Sequence, residues 1–119
     1  MSISKYFTKA ELECPLTGEC KMDEAFLHKL DEMRERYGSP VYVSSGFRSQ
    51  MGNRKIGGHP RSLHMKGQAI DIPMTDPYER WSLVYAAMSV GLGVEVCDRH
   101  VHVEYREGRK PKLWSGISK

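Results

Sequence analysis

A chain of 119 residues has room for one ordinary domain and not two. Its 39% hydrophobic and 28% charged residues suit a globular chain that buries roughly 65% of its unfolded surface, which excludes a disordered polymer and removes any need for disulfide or metal staples. A net charge of +3 tolerates anionic partners without demanding them, and no apolar run approaches the ~20 residues of a membrane span.

The opening Met1-Ser2-Ile3-Ser4-Lys5-Tyr6 does not read as a secretory signal, so synthesis is expected to end in the cytoplasm unless another route exports the product. Lys5 to Leu12 predicts a short helix, with Thr8 capping Lys9-Ala10-Glu11-Leu12. Cys14 and Cys20 bracket the turn-like Pro15-Leu16-Thr17-Gly18. With Cys97 they form an odd, sparse set that argues against a disulfide framework. Their spacing is long for half of a zinc knuckle and no second pair follows, so reduced structural thiols are expected.

The first firm helix starts near Asp23, where Phe26, Leu27, Leu30, Met33, Arg34 and Tyr37 recur at helical spacing until Gly38 and Pro40 stop it. Val41-Tyr42-Val43-Ser44 predicts a short strand by its β-branched content. The glycines between Gly46 and Lys66 predict loop, and Gln68 to Met74 a second strand. A second firm helix has Asp76 at its cap, Pro77 at its first position and Glu79 completing a capping box. Trp81, Val84, Tyr85 and Met88 form its apolar face, and Gly91 ends it. Val94-Glu95-Val96 and His100 to Tyr105 are two further strands, broken by Cys97-Asp98-Arg99. The basic tail from Arg106 to Lys119 reads as turns anchored by Trp114. Helices and strands mix without regular βαβ alternation. The expected fold is therefore a single α+β domain over 1–119, an antiparallel sheet flanked by helices, and a monomer.

The ionisable residues fall on one side of these strands. In Gln68 to Met74, alternation sets Ile70 and Ile72 toward the core and aims Asp71 the other way, where a lone buried carboxylate is costly unless paired or bound to metal. His100-Val101-His102-Val103-Glu104 alternates in the same sense, although paired histidines also suit the wet face of an edge strand. If the two strands are neighbours, His64, Asp71 and His102 can converge on a tetrahedral cation with one position left for water. His28, on the charged side of its helix, and His59, before Pro60, read as solvent and loop residues.

The run Ser62-x-His64-x-x-Gly67-x-Ala69-x-Asp71, the upstream Ser45-Gly46-Phe47-Arg48 and the late His100-x-His102 resemble the zinc D-alanyl-D-alanine carboxypeptidases. That group also takes in lysostaphin-type endopeptidases and the hedgehog signalling domain. Phe7 through Pro15, then Met22-Asp23, is similar to the small phage-type and prophage-type members, so the resemblance runs from about Phe7 to Tyr105. It implies a hedgehog-like fold and a single Zn2+ held by His64, Asp71 and His102. It also implies an assisting role for His100, and an Arg48 that contacts the substrate carboxylate or the developing oxyanion. Ser62 either shapes the site or simply holds the loop. The implied substrate is the peptide stem of peptidoglycan, cut by carboxypeptidase or endopeptidase action. An endolysin-like, phage-type release route or a virion-carried enzyme would suit the missing signal.

One position departs from that pattern. Relatives place an acidic general base three residues before the last ligand, where this chain has Arg99. Asp98 or His100 is left to take the proton, with Glu104 as support behind the ligands. If neither serves, the domain is a non-catalytic, zinc-stabilised wall-binding module. Nucleic-acid binding through Arg106, Arg109, Lys110 and Lys112 is disfavoured, because no aromatic residues interleave with them.

Overall fold

Alternating apolar and ionisable residues give each strand two unlike faces, and this sorts the molecule into a core side and a site side. The computed structural model describes residues 3–116. Its strands are β1 (Ala69–Pro73), β2 (Gly93–Val96), β3 (His100–Glu104) and β4 (Leu113–Ser115), in spatial order β1-β3-β2-β4. β3 is antiparallel to β1 and to β2, whereas β4 runs parallel to β2. The sheet is thus mixed and mostly antiparallel.

Register places Ile70 against Val103, Ile72 against Val101 and Val94 against Val103, so these apolar side chains share one face. All five are fully buried. That face is covered by α4 (Pro77–Ser89) through Leu83, Ala86 and Ala87, and α2 (Glu24–Tyr37) packs on α4 with Phe26, Leu30 and Met33 buried. Burial of such side chains, at about 1.5–3 kcal/mol each, is the main force that holds the layers together. Asp23 caps α2 by accepting from Phe26 N–H at 3.0 Å, and Gly38 ends it at φ 83°. The short α1 (Lys9–Leu12) carries a full capping box between Thr8 and Glu11. The preceding turn is tied to α2, where the Asp31 carboxylate accepts from Lys5 N, Tyr6 N and Ser4 Oγ.

The α+β class, α1, α2, α4 and the three strands on 68–105 match the sequence expectation, and five local features differ. Val41 to Ser44 is not a strand. The chain meets β1 only at its end, through Ser44 and the isolated Ser45–Asp71 bridge, because it then turns away so that Phe47 N–H reaches Leu12 O at 2.7 Å. Gly46 lies so close to Leu12 that a Cβ there would come within 2.6 Å of its carbonyl. The region 46–66 is not all loop: it contains α3 (Gln50–Lys55), capped by Ser49, and a 3-10 turn (Leu63–Lys66). Gly52 hid α3 by lowering local propensity, yet it is needed where Cys14 Sγ packs against the helix.

In α4 the buried face is Leu83, Ala86, Ala87 and Val90, while Trp81 and Tyr85 are 70% and 64% exposed and stack on each other. Both faces are apolar by composition, and the smaller residues win because they let the helix approach the sheet closely. Glu79 does not close a capping box; Asp76 takes both the Tyr78 and Glu79 N–H groups, and Glu79 accepts the Tyr37 hydroxyl instead. The tail supplies β4 through Leu113–Ser115, with its last residues, 117–119, outside the described structure. The three cysteines are free thiols, and Cys14 is buried.

Gly67 ends the 3-10 turn at φ 67°, and a Cβ there would collide with the Lys21 carbonyl and lie 2.7 Å from Met22 Cα. Gly67→Ala is therefore expected to destabilise the fold by at least ~1–3 kcal/mol, from strain at positive φ plus backbone collision. Urea unfolding would show this as a lower midpoint with an unchanged slope.

Candidate metal centre

The site face of the sheet is built by the same register that builds the core. Asp71 on β1 pairs with His102 on β3, which in turn faces Glu95 on β2, and Glu95 faces Trp114 on β4. Asp71 is held at this point from both sides of its strand, since Ile70 and Ile72 are locked in the core. Its backbone N–H donates to Ser45 O at 2.8 Å and its carbonyl accepts from Ser44 N–H at 2.9 Å.

His64 arrives from the 3-10 turn. Ser62 caps that turn by accepting the His64 N–H at 3.2 Å, so its hydroxyl is engaged in shaping the loop. The His64 carbonyl accepts from Arg48 N–H at 3.1 Å, and the ring is buried. Its Nδ1 lies 2.8 Å from Gly46 O, which leaves Nε2 pointing inward, 3.4 Å from Asp71 Oδ1. The His102 ring is held in the complementary sense, with Nδ1 2.9 Å from the same Asp71 Oδ1 and Nε2 2.9 Å from Glu104 Oε1. Glu104 is 3% exposed and also accepts from Arg106 Nε.

Each imidazole therefore has its outer nitrogen fixed by an oxygen acceptor and its inner nitrogen aimed at one carboxylate. With an ion in place, an outer N–H donating to Gly46 O or to Glu104 would leave the inner nitrogen of each ring as a lone-pair donor, as a metal ligand requires. The inner atoms of His64, Asp71 and His102 lie within 4.8 Å of one another, and among the described residues this is the only group of such donors. Two imidazole nitrogens and one carboxylate oxygen are the donor set of an open, catalytic-type zinc site. The residues present fit that ion.

Without an ion the cluster is an ion-paired network. Burial works to raise the Asp71 pKa, but hydrogen bonds and charge from His102 and His64 hold its carboxyl well below the usual carboxylate range. Burial works to lower the His102 pKa, yet the hydrogen bonds to Asp71 and Glu104 prevail and hold it up at about 9. Glu104, although buried, is pulled down by His102 and Arg106.

The other expected site residues divide. Arg48 joins the cluster: Nη2 reaches Asp71 Oδ2 at 3.4 Å, Nε donates to Ser45 Oγ at 3.1 Å and Nη1 to Asn53 Oδ1 at 3.3 Å. His100 also joins, with Nε2 3.8 Å from Asp71 Oδ1 and a side chain that stays 38% exposed. Asp98 lies exposed in the β2–β3 turn, where its carbonyl accepts from Arg80 Nη2 at 2.8 Å. Arg99 is exposed beside it and its carbonyl accepts from Met74 N–H. His28 and His59 are exposed, as expected. Sequence reasoning missed Asn53, which is buried and braces Arg48 from α3, and the Gly46 carbonyl that orients His64. It also passed over Glu95, although the alternation Val94-Glu95-Val96 already set that carboxylate on the site face.

A profile of the peptidase M15 family matches residues 5–104. The chain belongs to the peptidase M15 family. The match spans the turn before α1 through the end of β3 and so includes His64, Asp71 and His102. No curated protein matches the chain. For this M15 chain, the family assignment and the observed donor set agree on a possible metal site.

The protonated His102 has a testable consequence. Its pKa is raised from 6.5 in the folded, metal-free chain, so its proton stabilises the fold fully below about pH 6.5, and this contribution is lost as pH rises through about 9. Thermal melts in a chelator should therefore show falling stability between pH 6.5 and 9, and zinc, which replaces the Nδ1 proton, should flatten that fall. A level metal-free profile would show that Asp71 and Glu104 do not hold the ring charged.

Proposed function

We propose that this chain is a zinc-dependent peptidase of the peptidoglycan stem, acting in cell-wall lysis or remodelling. The observation that carries the proposal is the pair of oriented imidazoles: His64 Nε2 and His102 Nδ1 both face Asp71 Oδ1, each backed by an acceptor on its outer nitrogen. His64, Asp71 and His102 would hold the ion. Zinc bound there would supply Lewis acidity, activating water and polarising the scissile carbonyl.

The protein's own groups do the rest. His100 is the favoured proton acceptor, because its Nε2 sits at the edge of the ligand cluster and its ring remains open to solvent. Asp98 is the weaker candidate, set in an exposed turn. Arg48 presents a planar fork held by Ser45 and Asn53, suited to a substrate carboxylate or to charge developing on the carbonyl oxygen. A cleft of about 900 Å³, lined by Ser62, His102, Glu104 and Trp114, gives an extended peptide room beside the ligands. Arg99 at the position of the usual acid favours a second reading, a zinc-stabilised wall-binding domain without turnover.

Metal analysis and a digest of purified peptidoglycan separate the two. The wild-type chain is expected to carry zinc and to release free D-alanine if it is a carboxypeptidase, or new stem fragments if it is an endopeptidase. His64→Ala should lose both metal and activity. His100→Asn should keep its zinc and lose about 10²–10⁴ in rate, whereas Asp98→Asn should stay close to wild type. Wall binding without products at saturating zinc would establish the non-catalytic reading.

A further inference from the structure

Beyond His102, on the side away from Asp71, the site face continues through Glu95 to Trp114, and the chemistry above leaves this half of the row unused. β3 and β4 are two strand spacings apart, roughly 9.5 Å. The Trp114 and His102 ring centroids are nevertheless only 6.0 Å apart, meeting edge to face, so the indole leans across the position of Glu95. Glu95 is half-buried and lines the same cleft as His102 and Trp114.

The other two carboxylates of this face are spent. Asp71 is taken by His102, His64 and Arg48, and Glu104 by His102 and Arg106. No cation pairs with Glu95 among the described residues. Its neighbours are the Cys97 thiol, which burial and the Glu95 charge push up to about 11, and Gly116, whose missing Cβ leaves room for the carboxylate. Arg61, Lys66 and Arg109 stand at the cleft rim, Arg61, Lys66 and Arg109 being exposed and screened by water. The Trp114 ring carries the ammonium of Lys112, Nζ 4.7 Å from its centroid, an exposed side chain that an incoming amine has to displace or share the ring with. A partly desolvated carboxylate without a counter-ion, next to such a ring, matches a primary ammonium group in both charge and shape.

We propose that Glu95 and Trp114 form a subsite for a primary ammonium carried on a side chain of the peptide substrate. The proposal rests on the peptidase reading and narrows its substrate class to peptides with a free side-chain amine.

The test uses the zinc-loaded full chain and two synthetic stem peptides that differ only in whether that amine is free or acetylated. The free amine should lower KM about tenfold, the size of one charge-assisted contact. In Glu95→Gln, which keeps the side-chain shape, this preference should fall to near unity with zinc content unchanged. An equal preference in wild type and variant would overturn the subsite, as would an equal loss of kcat on both peptides, which would place Glu95 in the chemistry. If neither peptide is cleaved, the peptidase reading fails by itself. Calorimetric binding of the two peptides then decides the subsite: a wild-type preference lost in Glu95→Gln supports it, and indifference to the amine overturns it.

Discussion

A single carboxylate, that of Asp71, sits where three imidazoles and a guanidinium meet, and the geometry of the site follows from holding it there. Such a group is costly to desolvate alone, but here its oxygens face His102, His64, His100 and Arg48, and its charged form is strongly favoured. The strand that carries it has no freedom to slip. A one-residue shift of β1 would expose Ile70 and Ile72 and bury Asp71 in the apolar layer. Core packing on one face thus sets the position of a charge on the other.

The groups around Asp71 are fixed before any ion arrives. Gly46 O and Glu104 hold the outer nitrogens of the two imidazoles, Ser62 holds the backbone of His64, and Asn53 and Ser45 hold Arg48. These restraints come from the Ser45–Gly46 loop, the 3-10 turn, α3 and β3, so much of the ordering entropy of the site is met by the fold. His100 differs. It is the one imidazole near Asp71 with substantial exposure, the condition a group needs if it is to exchange protons with solvent and substrate.

The sheet also gives the site an asymmetric surround. On the Asp71 side lie the candidate donor atoms and Arg48; on the other side of His102 lie Glu95 on β2 and Trp114, which β4 adds as a parallel strand at the edge of β2. The M15 match ends at residue 104, so β4 lies beyond it.

Much of this was legible along the chain. The cap residues Thr8, Asp23 and Asp76, the 3.6-residue spacing of α2 and the two-residue alternation in β1 and β3 are local rules, and local rules act wherever they are written. They sufficed to put Asp71, His100 and His102 on one side of their strands, and the motif around His64 singled out the remaining member of the candidate metal site. Other features depended on neighbours far away in sequence. Which apolar face of α4 turns inward depended on the depth available against the sheet, and whether Val41 to Ser44 paired depended on where Leu12 drew Phe47. The helix at Gly52 required the Cys14 side chain, and the partner of Arg48 required Asn53 to be carried there by that helix. Side-chain pattern specifies a face, but the identity of what meets that face is settled only when distant segments compete for the same space.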